Sequence, residues 1–281
     1  MTIISPARRT PAATRIEDFP HRQRPPASDD FDRYRVAGVD LSVLRFDEAI
    51  EYLLDAPAAG RRLRVHFCAV HTLVEASKDL ELRDALNEAD LLAPDGMPLV
   101  WTGRLKGKRV ERVCGPDAML ALLDRGRERG HRHFFYGSTP EVLDDLIVRL
   151  TERLPGVEVA GSYSPPFRAL SWQEVESVVK TINESRADYV WVGLGSPKQD
   201  EWLAAFRPLL RSAVLLAVGA AFDFHAGHLR RAPRWAQRLG VEWLFRLASE
   251  PRRLAWRYAV SGVQLARLLL HDCFGKREPA L

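Results

Sequence analysis

An α/β fold is predicted: a Rossmann-like, mostly parallel sheet with helices on both faces, followed by a basic helical C-terminal appendage. Three observations predict it. From residue 34, short β-type runs alternate with helix-length amphipathic runs, the pattern of a parallel sheet built from strand–helix–strand units. Runs such as "ADYVWVGLG" are almost wholly apolar, as strands covered on both faces must be. Glycines, prolines and polar residues gather where strands give way to loops, and ligands of such sheets bind beyond the carboxyl ends of the strands.

Taken in order, "RLRVHFCAV" reads as a strand. Thr72 to Ala89 reads as one helix with Leu73, Ala76, Leu80, Leu82 and Leu86 on its apolar face. "ADLLAP" is a short strand, and "GPDAMLALLDRGRERG" a helix that Gly130 can stop. "RHFFYG" is a strand. "STPEVLDDLIVRLTERLPG" is a helix with Ser138 or Thr139 as N-cap and Pro140 just inside it. "VEVAGSYS" is a strand and "SWQEVESVVKTINESR" a helix. The strand "ADYVWVGLG" leads into the helix "SPKQDEWLAAFRPLL", and "AVLLAVGAAFDF" reads as a last strand running through Asp223. No internal repeat is evident.

With 281 residues, 46% hydrophobic and 28% charged, the chain can bury a large core. The Pro- and Arg-rich residues 1–33 read as a disordered leader without the apolar stretch of a signal peptide. Residues 34–228 form the α/β core and 229–281 the appendage. No uncharged apolar stretch is long enough to span a bilayer. Cys68, Cys114 and Cys273 fit neither a disulfide framework nor a zinc site, which suits a reducing cytosol. The net charge of +4 is unevenly spread. From Arg230 to Arg257 there are eight arginines against Glu242 and Glu250, a local +6 that leaves the rest near −2. Such a concentration implies an anionic surface or ligand.

Four segments carry candidate chemistry. In "LLAPDGMPLVW" an apolar run is interrupted by Asp95-Gly96, as a turn requires and as a catalytic carboxylate at a strand end also requires. In "WVGLGSPKQDEW", Ser196 as N-cap and Pro197 at the first helical position are explained by capping. Gly193, Gly195, Lys198 and Gln199 around the same turn also suit a nucleotide or sugar, through close backbone approach, charge and hydrogen bonding. "FYGSTPEV", with Gly137 and Ser138, repeats the arrangement and either holds a phosphate or caps a helix. Asp223, between two phenylalanines, either meets a ribose or base or pairs with Arg230 or Arg231. His71 and Glu75 have i, i+4 spacing but no third ligand at a fixed distance, so no metal site is read there. Asp30-Phe31-Asp32 matches the D-x-D of metal-dependent sugar-nucleotide enzymes but lies in the leader, and is set aside.

Together, "HTLVEA", "ADLLAPDGMPLVW", "RVCGPD", "FFYGSTPEV", "VGLGSPKQDEW" and "AVGAAFDFHAGHLRRAPRWAQRLGVEWLFRLASEPRRLAWRY" resemble the WecG/TagA/CpsF family of bacterial glycosyltransferases. The likeness runs from about Gly38 to Tyr258. It implies an inverting, metal-independent transfer, without a cofactor, from a UDP-sugar to an undecaprenyl-diphosphate-linked saccharide. That reaction serves cell-surface or exopolysaccharide assembly and would occur at the cytoplasmic face of the membrane. It implies Asp95 as general base, Gln199 as a second active-site residue, and Arg112 as a cation for a diphosphate. It further implies that His71, Thr72, Gly96, Gly137, Ser138, Gly193, Gly195, Pro197, Lys198 and Asp223 line the substrate site. Where the family often has Thr-x-Asn this chain has Cys68 and Val70, a replacement that points to a different donor sugar, such as glucose in place of an N-acetylmannosamine type.

In the tail, Leu254, Tyr258, Leu265 and Leu269 recur at near-helical spacing beside arginines. A basic amphipathic helix on anionic lipid fits, with Arg246, Arg253 and Arg257 on headgroups or on the acceptor's diphosphate. A helix docked on the core with solvated arginines is the alternative. Two other functions compete: a soluble nucleotide-dependent oxidoreductase, which lacks its G-x-G-x-x-G after the first strand, and a non-catalytic membrane-associated scaffold. The basic segment has no nucleic-acid reading motif. Homo-oligomerisation stays open.

Overall fold

Six strands pair in parallel in the computed structural model, which describes residues 30–233, 236, 241–249 and 251–274. Before them comes a hairpin of β1 (Arg33–Val36) and β2 (Val39–Ser42), turned by Ala37 and Gly38 at positive φ. The large sheet comprises β3 (Leu63–Cys68), β4 (Leu91–Pro94), β5 (Arg132–Gly137), β6 (Glu158–Tyr163), β7 (Tyr189–Gly193) and β8 (Val214–Ala217). Its order is β4-β3-β8-β7-β5-β6. β3, β4 and β8 are wholly buried; β4 and β8 are apolar throughout, while β3 buries Arg64 against Asp90 and His66 against Asp200.

Alternation along each strand serves two cores. On one face Val65, Phe67, Phe135, Trp191 and Leu216 pack against α1 (Phe46–Asp55), α5 (Gly115–Gly126) and α6 (Pro140–Arg153). On the other, Phe134, Tyr136, Val190 and Val192 meet α7 (Trp172–Glu184) and α8 (Lys198–Phe206). The hairpin, α2 (Val70–Ala76), α3 (Leu80–Asn87) and α4 (Met97–Leu105) close the rest of that face over Cys68 and Leu92. After β8 come a short α9 (Ala221–His225), then α10 (Glu242–Ser249) and α11 (Pro251–Phe274).

Several boundaries differ from expectation. The helix expected over Thr72–Ala89 is two, because the Asp79 carboxylate accepts from the Glu81 and Leu82 amides and starts a new helix. The run through Asp223 is strand only to Ala217. The amides of Val218 and Gly219 both donate to the Val192 carbonyl, Gly219 turns at φ +55, and Asp223 lies on α9. Ser196 is not the cap of α8; Pro197 occupies that position and no side chain caps it. Phe31 packs edge-on against Tyr52 and β1 begins at Arg33, so ordered chain starts before the boundary expected at residue 33. Residues 1–29 lie outside those described.

The appendage rests on the core. Leu265 of α11 is buried beside Leu73 and Val74, with Leu268 and Leu269 against the same cluster. Asp272 accepts from the Ala37 amide at 2.7 Å. Leu265 and Leu269, expected on a lipid-facing stripe, therefore face protein, and α11 exposes Val263 and Leu270 instead. The side chains of Leu254, Tyr258, Arg246, Arg253 and Arg257 lie outside the described residues.

Candidate active site

A cavity of about 600 Å³ opens beyond the carboxyl ends of β3, β4, β7 and β8. That is where an open parallel sheet offers free loops and helix N-termini to a ligand. Its wall contains His71, Thr72, Asp95, Gly96, Arg112, Gly195 and Gln199 among the residues singled out in the sequence. The appendage closes the other side with Glu242, Trp243, Ser261, Gly262 and Leu265.

Asp95 is the residue after β4. Its amide donates to the Cys68 carbonyl at 3.0 Å, the last rung between β3 and β4, and Gly96 then starts α4. A Cβ on Gly96 would lie 3.2 Å from the Val70 side chain, so the glycine lets α4 leave the sheet close to α2. The Asp95 side chain, 26% exposed, meets the cavity beside Arg112. Nε of Arg112 donates to the Asp95 carbonyl at 2.5 Å, and Nη2 donates to Oδ1 at 3.1 Å. Burial works against the charge on Arg112. Asp95, the Cys114 sulfur and Glu242 more than offset it, and its pKa lies above the ordinary arginine value. Arg112 thus stays a cation that both orients the carboxylate and faces the cavity.

The network continues behind. Glu242 sits 3.0 Å from Arg112 Nη2 and 3.5 Å from Arg231 Nε. Arg231 holds both oxygens of Asp117, one of them at 2.7 Å, and Cys114 donates to Asp117 at 2.9 Å. Although burial raises its pKa, Asp117 is held below the usual carboxylate range by hydrogen bonds from Arg231 and Cys114. Arg231 therefore answers Asp117 and Glu242 in this structure.

Gln199 is buried, and both ends of its amide serve the backbone. Its Oε1 accepts from the Gly195 amide at 3.1 Å and its Nε2 donates to the Ala217 carbonyl at 3.2 Å. It ties the loop after β7 to the end of β8. Gly195, at φ +77 with open space where a Cβ would point, gives that loop its shape at the cavity.

Other expected positions lie outside the cavity wall. Cys68 is fully buried behind it, and burial pushes its thiol pKa well up. Gly193 lies under Phe222, 2.6 Å from where its Cβ would stand, and a Cβ on Gly137 would strike Gly193 at the same distance. These two glycines serve backbone packing. Ser138, at φ +57, donates its amide to the Gly193 carbonyl, while Thr139 caps α6. Pro197, Lys198 and Asp223 are absent from the wall, and Lys198 is exposed.

Sequence reasoning passed over Trp101 and Trp243, 50% and 46% exposed at the cavity, and Glu242. A tryptophan closing "LLAPDGMPLVW" and one of only two glutamates inside a run of arginines were the available signals. Among the described residues, no group of three or more His, Cys, Asp or Glu side chains is arranged to hold a metal ion.

The family model described as "Glycosyl transferase WecG/TagA/CpsF family" matches residues 34–279. The chain belongs to the WecG/TagA/CpsF family of glycosyltransferases. Two relatives bear the name N-acetylglucosaminyldiphosphoundecaprenol N-acetyl-beta-D-mannosaminyltransferase. The one from Bacillus spizizenii (strain ATCC 23059 / NRRL B-14472 / W23) is 34% identical over 188 residues, which is 66% of this chain and 70% of the relative. The one from Bacillus subtilis (strain 168) is 31% identical over 198 residues, 70% of this chain and 75% of the relative. This WecG/TagA/CpsF enzyme is therefore a glycosyltransferase, neither an oxidoreductase nor a scaffold. No described helix is long and apolar enough to cross a membrane.

Proposed function

We propose that this enzyme moves a sugar from a UDP-sugar to an undecaprenyl-diphosphate-linked N-acetylglucosamine, with inversion and without a metal ion. The relatives' names supply the acceptor class. The observation that carries the reading is Asp95 at the strand end, in the wall of the cavity, held by Arg112. In the reaction an acceptor hydroxyl oxygen attacks the anomeric carbon from the face opposite UDP. The new glycosidic bond forms as the bond to UDP breaks. The hydroxyl proton passes to Asp95, and UDP leaves with the bonding electrons. A carboxylate beside the attacking hydroxyl suits that single displacement.

Arg112 meets phosphate charge on the substrates, which preorganised cations stabilise best in a partly dry site. Gln199 shapes the Gly195 loop at the donor side. His71 and Thr72, at the start of α2, line the floor. Trp101 offers a flat apolar surface to a sugar ring or to the first isoprene unit. Cys68, buried behind this wall, bears on the donor through the position of Val70, which lines it. The arginine-rich appendage brings the enzyme to the anionic inner face of the cytoplasmic membrane, where the acceptor resides. Arg230 and Arg267 are exposed there.

The test is a panel of UDP-sugars offered with a short-chain polyprenyl-diphosphate N-acetylglucosamine, read by mass spectrometry. One UDP-hexose or UDP-N-acetylhexosamine should add one sugar to the acceptor. No addition from any UDP-sugar, with addition from another nucleotide sugar, overturns the donor assignment.

A further inference from the structure

A cavity that must receive phosphates has an acid in its wall. Glu242 is the first residue of α10, and its side chain is only 11% exposed. The nitrogen of Arg112 that lies 3.0 Å from Glu242 Oε2 is the same Nη2 that donates to Asp95 Oδ1 at 3.1 Å. One guanidinium nitrogen therefore donates to a carboxylate of the core and lies within ion-pair distance of one from the appendage, whose Oε2 is buried without a hydrogen bond of its own.

The surroundings make this an arrangement rather than a chance contact. Glu242 faces Arg112 from the loop before α5 and Arg231 from the loop after α9, with Asp95 beyond Arg112. Behind Arg231 lie Asp117 and Cys114 at the start of α5, and His225 of α9 is close enough to feel its charge. His71, on α2, lines the same cavity. Asp117 takes up most of Arg231 through both its oxygens, so the closer cation for Glu242 is Arg112.

A guanidinium divided between two carboxylates stabilises each less than it would one alone, and the two carboxylates repel through it. Asp95 is thus both oriented by Arg112 and left more basic than Arg112 alone would leave it. We propose that Glu242 is a positioning residue for the transfer: it draws Arg112 partly off Asp95, so that Asp95 can take the acceptor's proton. This rests on the reading of Asp95 as the base, and the test keeps the two apart.

The measurement is kcat/KM against pH for the full chain, with the UDP-sugar and the short-chain acceptor. It compares wild type with Glu242→Gln, Glu242→Asp and Asp95→Asn, each checked by thermal melting. Glu242→Gln should move the acid limb down by about one pH unit and lower the plateau by about three- to tenfold. Glu242→Asp, which keeps the charge, should leave the limb where wild type has it. An acid limb of Glu242→Gln that coincides with wild type overturns the proposal, whatever the plateau does. So does Glu242→Asp displaced as far as Glu242→Gln, since length and packing would then be responsible. Should Glu242→Gln fail to fold, Arg231→Gln decides: it leaves Glu242 to Arg112 alone and should move the limb up, and an unmoved limb overturns the proposal. Asp95→Asn at near-wild-type rate removes the base reading itself, whichever way the Glu242 variants behave.

Discussion

Acid should weaken this fold through imidazoles that cannot take up a proton, and for His133 the cost can be worked out. His133 lies fully buried on β5, stacked on Tyr189 with ring centroids 5.1 Å apart. Its Nδ1 accepts from the Trp191 indole at 3.2 Å. Burial, and then the neighbouring His131, push its pKa down from 6.5 to about 3. The folded state therefore excludes a proton that the unfolded chain binds below about pH 6.5. Stability is complete above that pH and is lost as pH falls toward 3, by ~1.4 kcal/mol for each unit. Relative to its plateau at higher pH, the loss at pH 4.5 is about 2.7 kcal/mol from this side chain. Burial lowers His131 and His225 too, so their contributions have the same sign. His133→Gln keeps an acceptor for Trp191 and cannot titrate. Urea unfolding followed by tryptophan fluorescence at pH 7 and pH 4.5 gives both stabilities. The variant should gain about 2–3 kcal/mol on wild type over that interval. A difference between the two proteins that stays constant with pH would refute the reasoning. The same slope bounds the pH range in which any rate profile of this enzyme can be read.

Three further outcomes follow from the site. Gly193→Ala should cost ~1–3 kcal/mol by forcing a Cβ into the Phe222 ring, measured by urea unfolding, with UDP affinity unchanged in the folded fraction. Transfer should survive excess EDTA, because Arg112 is expected to meet the phosphate charge; loss on EDTA with rescue by Mg²⁺ or Mn²⁺ would overturn that. The triple variant Arg246→Ala, Arg253→Ala, Arg257→Ala should leave anionic liposomes and lose transfer while keeping its circular dichroism spectrum, each charge being worth ~1 kcal/mol at the surface and screened by salt. Normal sedimentation with the liposomes but no activity would assign the arginines to the acceptor instead of the membrane.

Most of the sheet was legible because strands such as "YVWVG" and "VLLA" are apolar runs of the right length between breakers, as burial on both faces requires. Asp95 was legible for the same reason, as a carboxylate interrupting such a run. What local pattern could not show was how distant segments meet. The Asp79 cap looked like one more polar position on a helix, and "AVGAAFDF" is as apolar in a strand as in a turn and short helix. The close approach of Gly137 to Gly193, and of Gly193 to Phe222, is a contact between distant segments that the sequence does not display. Glu242 was visible only as an exception to the basic run. Its place beside Arg112 depends on α10 returning to a cavity built about 130 residues earlier, which no spacing rule encodes.

The central claim is that Asp95 takes the acceptor's proton in a cavity that binds UDP-sugar independently of it. A single-turnover rate for Asp95→Asn, measured with saturating enzyme beside the dissociation constant for UDP, tests this most directly. The account predicts a rate lower by ~10²–10⁴-fold with UDP binding nearly unchanged. A rate within a few-fold of wild type would contradict it.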